Sequence, residues 1–145
     1  MPTLRNFEDI EAWKKGRALT KSIYRITSQG PFAKDFGLKD QIRRASVSII
    51  SNIAEGYERG GDKEFIQFLS LAKGSSGEVR AQLYVAYDAG FITQPQLDQL
   101  RSQVDDVSRL IGGFMRYLQG SGVRGQKYKS RVSRLESRVN DRLET

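Results

Sequence analysis

Two short patterns in this 145-residue chain come close to chemistry, and both stop short of it. Gly56 and Gly61 have the spacing of the glycines in a phosphate-cradling loop, in which backbone amides hold phosphates while a Lys reaches them. Asp62 stands where that Lys must be and no strand pattern precedes the pair, so an ordinary glycine turn is expected. Ser70-Leu71-Ala72-Lys73 matches Ser-x-x-Lys, an arrangement in which Lys can serve as base to a Ser nucleophile. Neither companion motif of such enzymes is present, and Ser and Lys at this spacing on a helix ordinarily face water. The carboxylates Asp105-Asp106 and Glu55 with Glu58 read as solubility and local ion pairs, since nothing around them marks a pocket. The chain has no Cys and no His, which excludes thiol nucleophiles, Ser-His-Asp triads, disulfides and thiolate or imidazole metal sites. The expectation is a protein that is not an enzyme and takes neither metal nor cofactor.

What the residues do offer is positive charge. Counting 24 Lys+Arg against 17 Asp+Glu gives a net charge of +7, which favours contact with polyanions without setting a fold. Residues 121–145 hold seven Lys/Arg and three Asp/Glu and so supply +4 of that total. Within them Arg131, Arg134 and Arg138 fall on one face of a possible helix, beside Tyr128, Val132, Leu135 and Val139. Such a face can neutralise phosphates and release counterions, or dock as a structural helix, or remain a solvated extension. Tyr128 is the one aromatic of this tail, too few to support sequence-specific recognition of single strands.

The elements that must position these charges read as helices. The three prolines, Pro2, Pro31 and Pro95, fall at starts or connections and leave long uninterrupted stretches between them. A first helix is predicted from about Phe7 to Ser28, with Ile10, Trp13, Leu19, Ile23 and Ile26 near helical spacing. A second, from about Leu38 to Tyr57, is apolar over a wide arc, which suggests burial against more than one neighbour. Arg43 and Arg44 lie at its exposed margin. Glu58 to Asp62 reads as a tight turn with Asp62 capping the next helix. The third helix keeps a heptad rhythm through Phe65, Leu69, Ala72, Ser76, Val79, Leu83 and Ala86. Its Gly74-Ser75-Ser76-Gly77 centre is expected to mark a close crossing and not a break. Gly90 suits a left-handed C-terminal position, and Gln94-Pro95 opens a fourth helix with Leu97, Leu100, Val104, Val107, Ile111, Phe114 and Leu118 on one stripe.

Four amphipathic helices on short links specify an all-α, antiparallel up-down four-helix bundle over residues 1–119. Residues 120–145 then form a flexible linker and a basic amphipathic tail helix. With 38% hydrophobic and 28% charged residues the chain is too polar for a membrane span, and Met1 to Asn6 lacks the features of a signal peptide, so a cytoplasmic location is expected.

The run from Phe36 through Lys39-Asp40-Gln41-Ile42-Arg43-Arg44-Ala45-Ser46 to Asn52-Ile53-Ala54-Glu55-Gly56 resembles the signature of four-helix-bundle proteins encoded in bacterial 23S rRNA intervening sequences. The similarity continues through Arg59, Glu64-Phe65, Phe68-Leu69, Ala72-Lys73-Gly74-Ser75, Glu78 and Gln82-Leu83, and Trp13 and Ile23-Tyr24 match the first helix. This resemblance implies a homopentamer, related in shape to the basic, nucleic-acid-binding accessory proteins of diversity-generating retroelements. It implies association with rRNA as a proposal only. One departure is Ile50, where the family commonly carries a Pro that would kink the helix.

Asn52, Glu55 and Arg59 lie three and four residues apart on one helical face and could form a structural polar network. Alternatively Arg43, Arg44, Arg59 and Lys63 line a polyanion-binding surface, repeated around a ring to gain avidity. The expected function is a non-enzymatic, oligomeric RNA-binding or ribonucleoprotein accessory protein. The alternative is a scaffold whose partner is another protein, docked on the bundle or on the tail.

Overall fold

The computed structural model describes residues 4–121, and in them the amphipathic stripes close on one another as four helices. These are α1 (Glu11–Ile26), α2 (Phe36–Arg59), α3 (Asp62–Asp88) and α4 (Gln94–Ser121). Short 3-10 turns at Phe7–Asp9 and Gly30–Lys34 complete the described chain, which contains no strand. Each helix packs on the next, and α4 returns to α1.

Cross-helix contacts fix the directions. Thr20 of α1 donates to the Ser46 carbonyl of α2 while Arg43 reaches back to Thr27, so the number on one helix rises as the other falls. The same holds between α2 and α3, where Ser48 meets Ser75 and Arg59 meets Glu64, and between α3 and α4, where Tyr84 meets Arg101 and Lys73 meets Ser108. The bundle is therefore antiparallel and up-down.

The core is drawn from all four stripes. Ile23, Ile42, Ile49, Ile53, Phe65, Leu83, Val107 and Ile111 are fully buried, and the aromatic pairs sit toward the ends. Phe32 stacks on Phe91 with centroids 5.2 Å apart, sealing the end where the α1–α2 and α3–α4 connections meet. At the other end Phe65 packs between Tyr57 and Phe114.

Several local expectations are corrected. The first helix does not run from Phe7: Ile10 is extended (φ −72°, ψ 125°), so a 3-10 turn precedes α1. Phe7 turns back onto the edge of Trp13, and the apolar spacing continues across the interruption, which hides it in the sequence. Asp62 is not a cap. Gly60 takes the left-handed conformation (φ 84°), Gly61 stands at the N-cap, and Asp62 is the first helical residue. There its carboxylate and that of Glu64 lie in the first turn, where the helix dipole favours negative charge.

In α3 the close crossing is carried by Ser75 and Ser76, both buried, with the Ser48 and Ser75 hydroxyls 2.8 Å apart. Gly74 and Gly77 point outward, and a Cβ on either would meet nothing within 4 Å. The glycine that does serve close approach in α2 is Gly56, where a Cβ would stand 2.7 Å from the Phe68 Cβ. Helix α2 runs unbroken through Ile50, whose Cγ2 fills the space left by Gly16 of α1. Helix α4 begins with a capping box that sequence reading missed: Gln96 Oε1 accepts from the Thr93 amide, and Thr93 Oγ1 accepts from the Gln96 amide. The spacing Thr-x-x-Gln was its signal.

Candidate nucleic-acid interface

The cations singled out from the sequence fall into different environments. Arg43 is half-buried and engaged within the fold. Its Nε donates to Thr27 Oγ1 at 2.8 Å, and its Nη2 donates to Ser28 Oγ at 2.9 Å and to the Tyr24 carbonyl at 3.3 Å. The guanidinium also lies 4.3 Å from the Tyr24 ring centroid. It thus satisfies the C-terminal end of α1, where a cation is favoured by the helix dipole. Arg44, one residue on, is 79% exposed and pairs with Asp40 a turn earlier.

Arg59 lies at the end of α2, between Glu55 at 2.9 Å and Glu64 at 3.7 Å and over the Phe68 ring. The hydrogen bond that Arg59 donates to Glu55 Oε1 is the main reason its already high pKa is pushed up further. Lys63 is exposed in the first turn of α3. These four cations do not form one patch: Arg43 and Arg44 stand near the start of α2, and Arg59 and Lys63 flank the turn at its far end. Arg131, Arg134 and Arg138 lie outside the described residues.

The proposed polar network is also divided. Asn52 Nδ2 donates to the Ser48 carbonyl at 2.8 Å and to Ser48 Oγ at 3.0 Å, and through Ser48 it joins Ser75 of α3. Glu55 belongs instead to the Arg59 ion pair. A shallow open recess beside Ser51, Ala54, Glu55, Glu58 and Arg59 carries two carboxylates against one guanidinium, which does not favour an anion.

A different row of cations lies along the α3–α4 seam. Arg101 Nη1 donates to the Tyr84 hydroxyl at 2.9 Å, Arg80 pairs with Asp105 at 3.0 Å, and Lys73 Nζ donates to Ser108 Oγ at 3.2 Å. Arg101 and then Arg80 hold the Tyr84 phenol below its ordinary pKa, against the opposing effect of burial. Farther along, Arg116 and Lys73 both reach over Gly112. Sequence reading missed this row, although it had a signal. Arg101, Asp105, Ser108 and Gly112 each follow a residue of the α4 core stripe by one position, so they form a second stripe turned toward α3.

The motifs rejected as catalytic are dispersed as well. Gly56 lies inside α2 and not in a loop, and Lys73 turns to α4. Among the described residues no group of three or more carboxylates is placed to hold a metal ion, and no helix is long and apolar enough to cross a membrane.

The frame that displays these charges matches a family model, that of the 23S rRNA-intervening sequence protein, over residues 8–113. The chain belongs to this family. Among solved structures, the 23S rRNA-intervening sequence fold is similar to a protein of unknown function from the S23 ribosomal protein family of Bacteroides thetaiotaomicron. The TM-score is 0.66 at 21% identity, covering 72% of this chain and 98% of that one. At that identity the likeness speaks for the fold of the family member and not for its work. No curated protein matches the chain.

Proposed function

We propose that this member of the 23S rRNA-intervening sequence family is a non-enzymatic, cytoplasmic RNA-binding protein that acts as an oligomer, a pentamer by its resemblance, in a ribonucleoprotein. The observation that carries this reading is an excess of cations along the chain: residues 1–120 hold 17 Lys/Arg against 14 Asp/Glu, on a helical frame whose apolar interior is filled, and residues 121–145 add a further +4. Binding would run through phosphates, since the frame offers guanidinium and ammonium groups on its surface.

The test is fluorescence anisotropy of an rRNA stem-loop, with heparin as comparison, at several salt concentrations. RNA binding tighter than heparin binding, with a linear fall of log affinity against log salt, is the expected result. Equal binding of both, or none, would remove the RNA reading.

A second reading, a scaffold for another protein, rests on the exposed apolar residues of α3, with Leu71 58% and Val85 53% exposed. A protein partner captured from lysate in salt that abolishes RNA binding would favour it.

A further inference from the structure

The end of the α3–α4 seam near Gly112 combines three features. First, two cations from different helices converge. If Gly112 carried a Cβ, that atom would lie 3.4 Å from Arg116 Nη1, 3.5 Å from Lys73 Cε and 4.0 Å from Lys73 Nζ. Both heads therefore share one small area of surface.

Second, these cations are not neutralised. Among the described residues Lys73 has Ser108 as its polar partner and no carboxylate, and Arg116 has no ion pair. Arg44, Arg80 and Arg109 each have one, and Arg59 has two. Third, the neighbours are small. Gly112, buried beneath the two cation side chains, and Ser108 lie beside Lys73, and the space outside Gly77 on α3 is open.

Ser108 adds a donor. Its Oγ accepts from Lys73, which leaves its own O–H hydrogen directed elsewhere, and a phosphoryl oxygen is a strong acceptor for it. Beyond the Arg80–Asp105 ion pair the same seam continues to Arg101, which has no carboxylate within ion-pair distance among the described residues, so a chain of phosphates has a second cation to reach.

We propose that Lys73, Ser108 and Arg116 hold a backbone phosphate of the RNA between their heads on the surface beside Gly112, an assignment that rests on the RNA-binding reading. The guanidinium and the ammonium approach the phosphate from α4 and α3, and the serine hydroxyl fixes its depth. The site reads no base, so it sets the register of the RNA along the seam and leaves sequence preference to other contacts.

The test is anisotropy titration of the labelled rRNA stem-loop against the full chain and three variants, with melting curves as a check on folding. Lys73→Gln with Arg116→Gln should weaken binding roughly tenfold and lower the salt slope by about 0.7–0.9, as for one lost phosphate contact. Lys15→Gln with Lys21→Gln, on exposed positions of α1, removes the same charge away from the seam and should change binding much less. Gly112→Ala keeps every charge and favours the helix, yet sets a methyl against both cation side chains, and should weaken binding severalfold.

Equal effects of the two double variants, or an unchanged affinity in the first of them with wild-type RNA binding intact, would overturn the site and leave the RNA reading standing. No RNA binding by the wild type would overturn both. If inorganic phosphate raises the melting temperature of the wild type, the first double variant abolishes that rise and RNA binding is unaltered, the cluster is a free-anion site and the RNA assignment fails.

Discussion

Arg43 and Arg59 look alike in the sequence and differ in what surrounds them. Arg43 ties the last turn of α1 to α2 through three acceptors and a ring, in a half-buried position. Replacing it by Ala should cost about 2 kcal/mol, as expected for charged hydrogen bonds partly withdrawn from water, measured by urea unfolding. Lys should restore little, because a point charge cannot reproduce a fork that serves Thr27, Ser28 and Tyr24 together. Arg59→Ala should change stability far less, since both its carboxylate partners are solvated.

Tyr57 supplies a pH prediction at the same scale. Burial, then the negative fields of Glu58 and Asp9, raise its pKa above the ordinary 10.0. The folded state thus keeps the proton that the unfolded chain releases, so this contribution to stability is present below pH 10.0 and is lost as pH rises from there through the folded pKa. Unfolding curves at increasing alkaline pH should show this fall, and Tyr57→Phe should flatten it. An unchanged slope in the variant would show that other groups govern the alkaline limb.

For the elements, glycine position within a helix decides the sign of a substitution. Gly74 lies in the middle of α3 with open space around it, so Ala there should stabilise by roughly 0.8–1.0 kcal/mol through helix propensity. Gly56 lies in the last turn of α2 against Phe68 and Phe65, and Ala there should destabilise by about 1–3 kcal/mol through overpacking. Thermal melts of the two variants should move in opposite directions. The sequence marks both residues as helix-weakening, and the packing of α3 on α2 separates them.

For the molecule as a whole, the bundle leaves part of the apolar surface of α3 uncovered. Leu71 and Val85 stay exposed on α3 at helical spacing, separated by Gly74 and Glu78 on the same edge. Such an edge fits a contact between copies in the proposed oligomer. Light scattering of Leu71→Glu with Val85→Glu should show a smaller assembly than the wild type, with helix content by circular dichroism retained. An unchanged mass would place the subunit contact elsewhere.

Fold class, helix number and most of the core were legible in the sequence, because a helix repeats every 3.6 residues and a buried stripe must repeat with it. The run from Phe36 to Gly56 likewise carried the family resemblance that the matched residues 8–113 support. Termini were less legible: Ile10 keeps the apolar rhythm while its backbone is extended, and Asp62 has the character of a cap while Gly61 occupies the place. Composition alone determined that charge, and not thiol or imidazole chemistry, is what this protein has to work with. Tertiary structure decided which charges are available. The ends of α1 and α2 took Arg43 into a helix terminus and set Arg59 between carboxylates, while the antiparallel pairing of α3 with α4 brought Lys73 and Arg116 together over Gly112. Residues 43 positions apart in the chain meet only when two helices pack side by side, and no periodicity within either one records that distance.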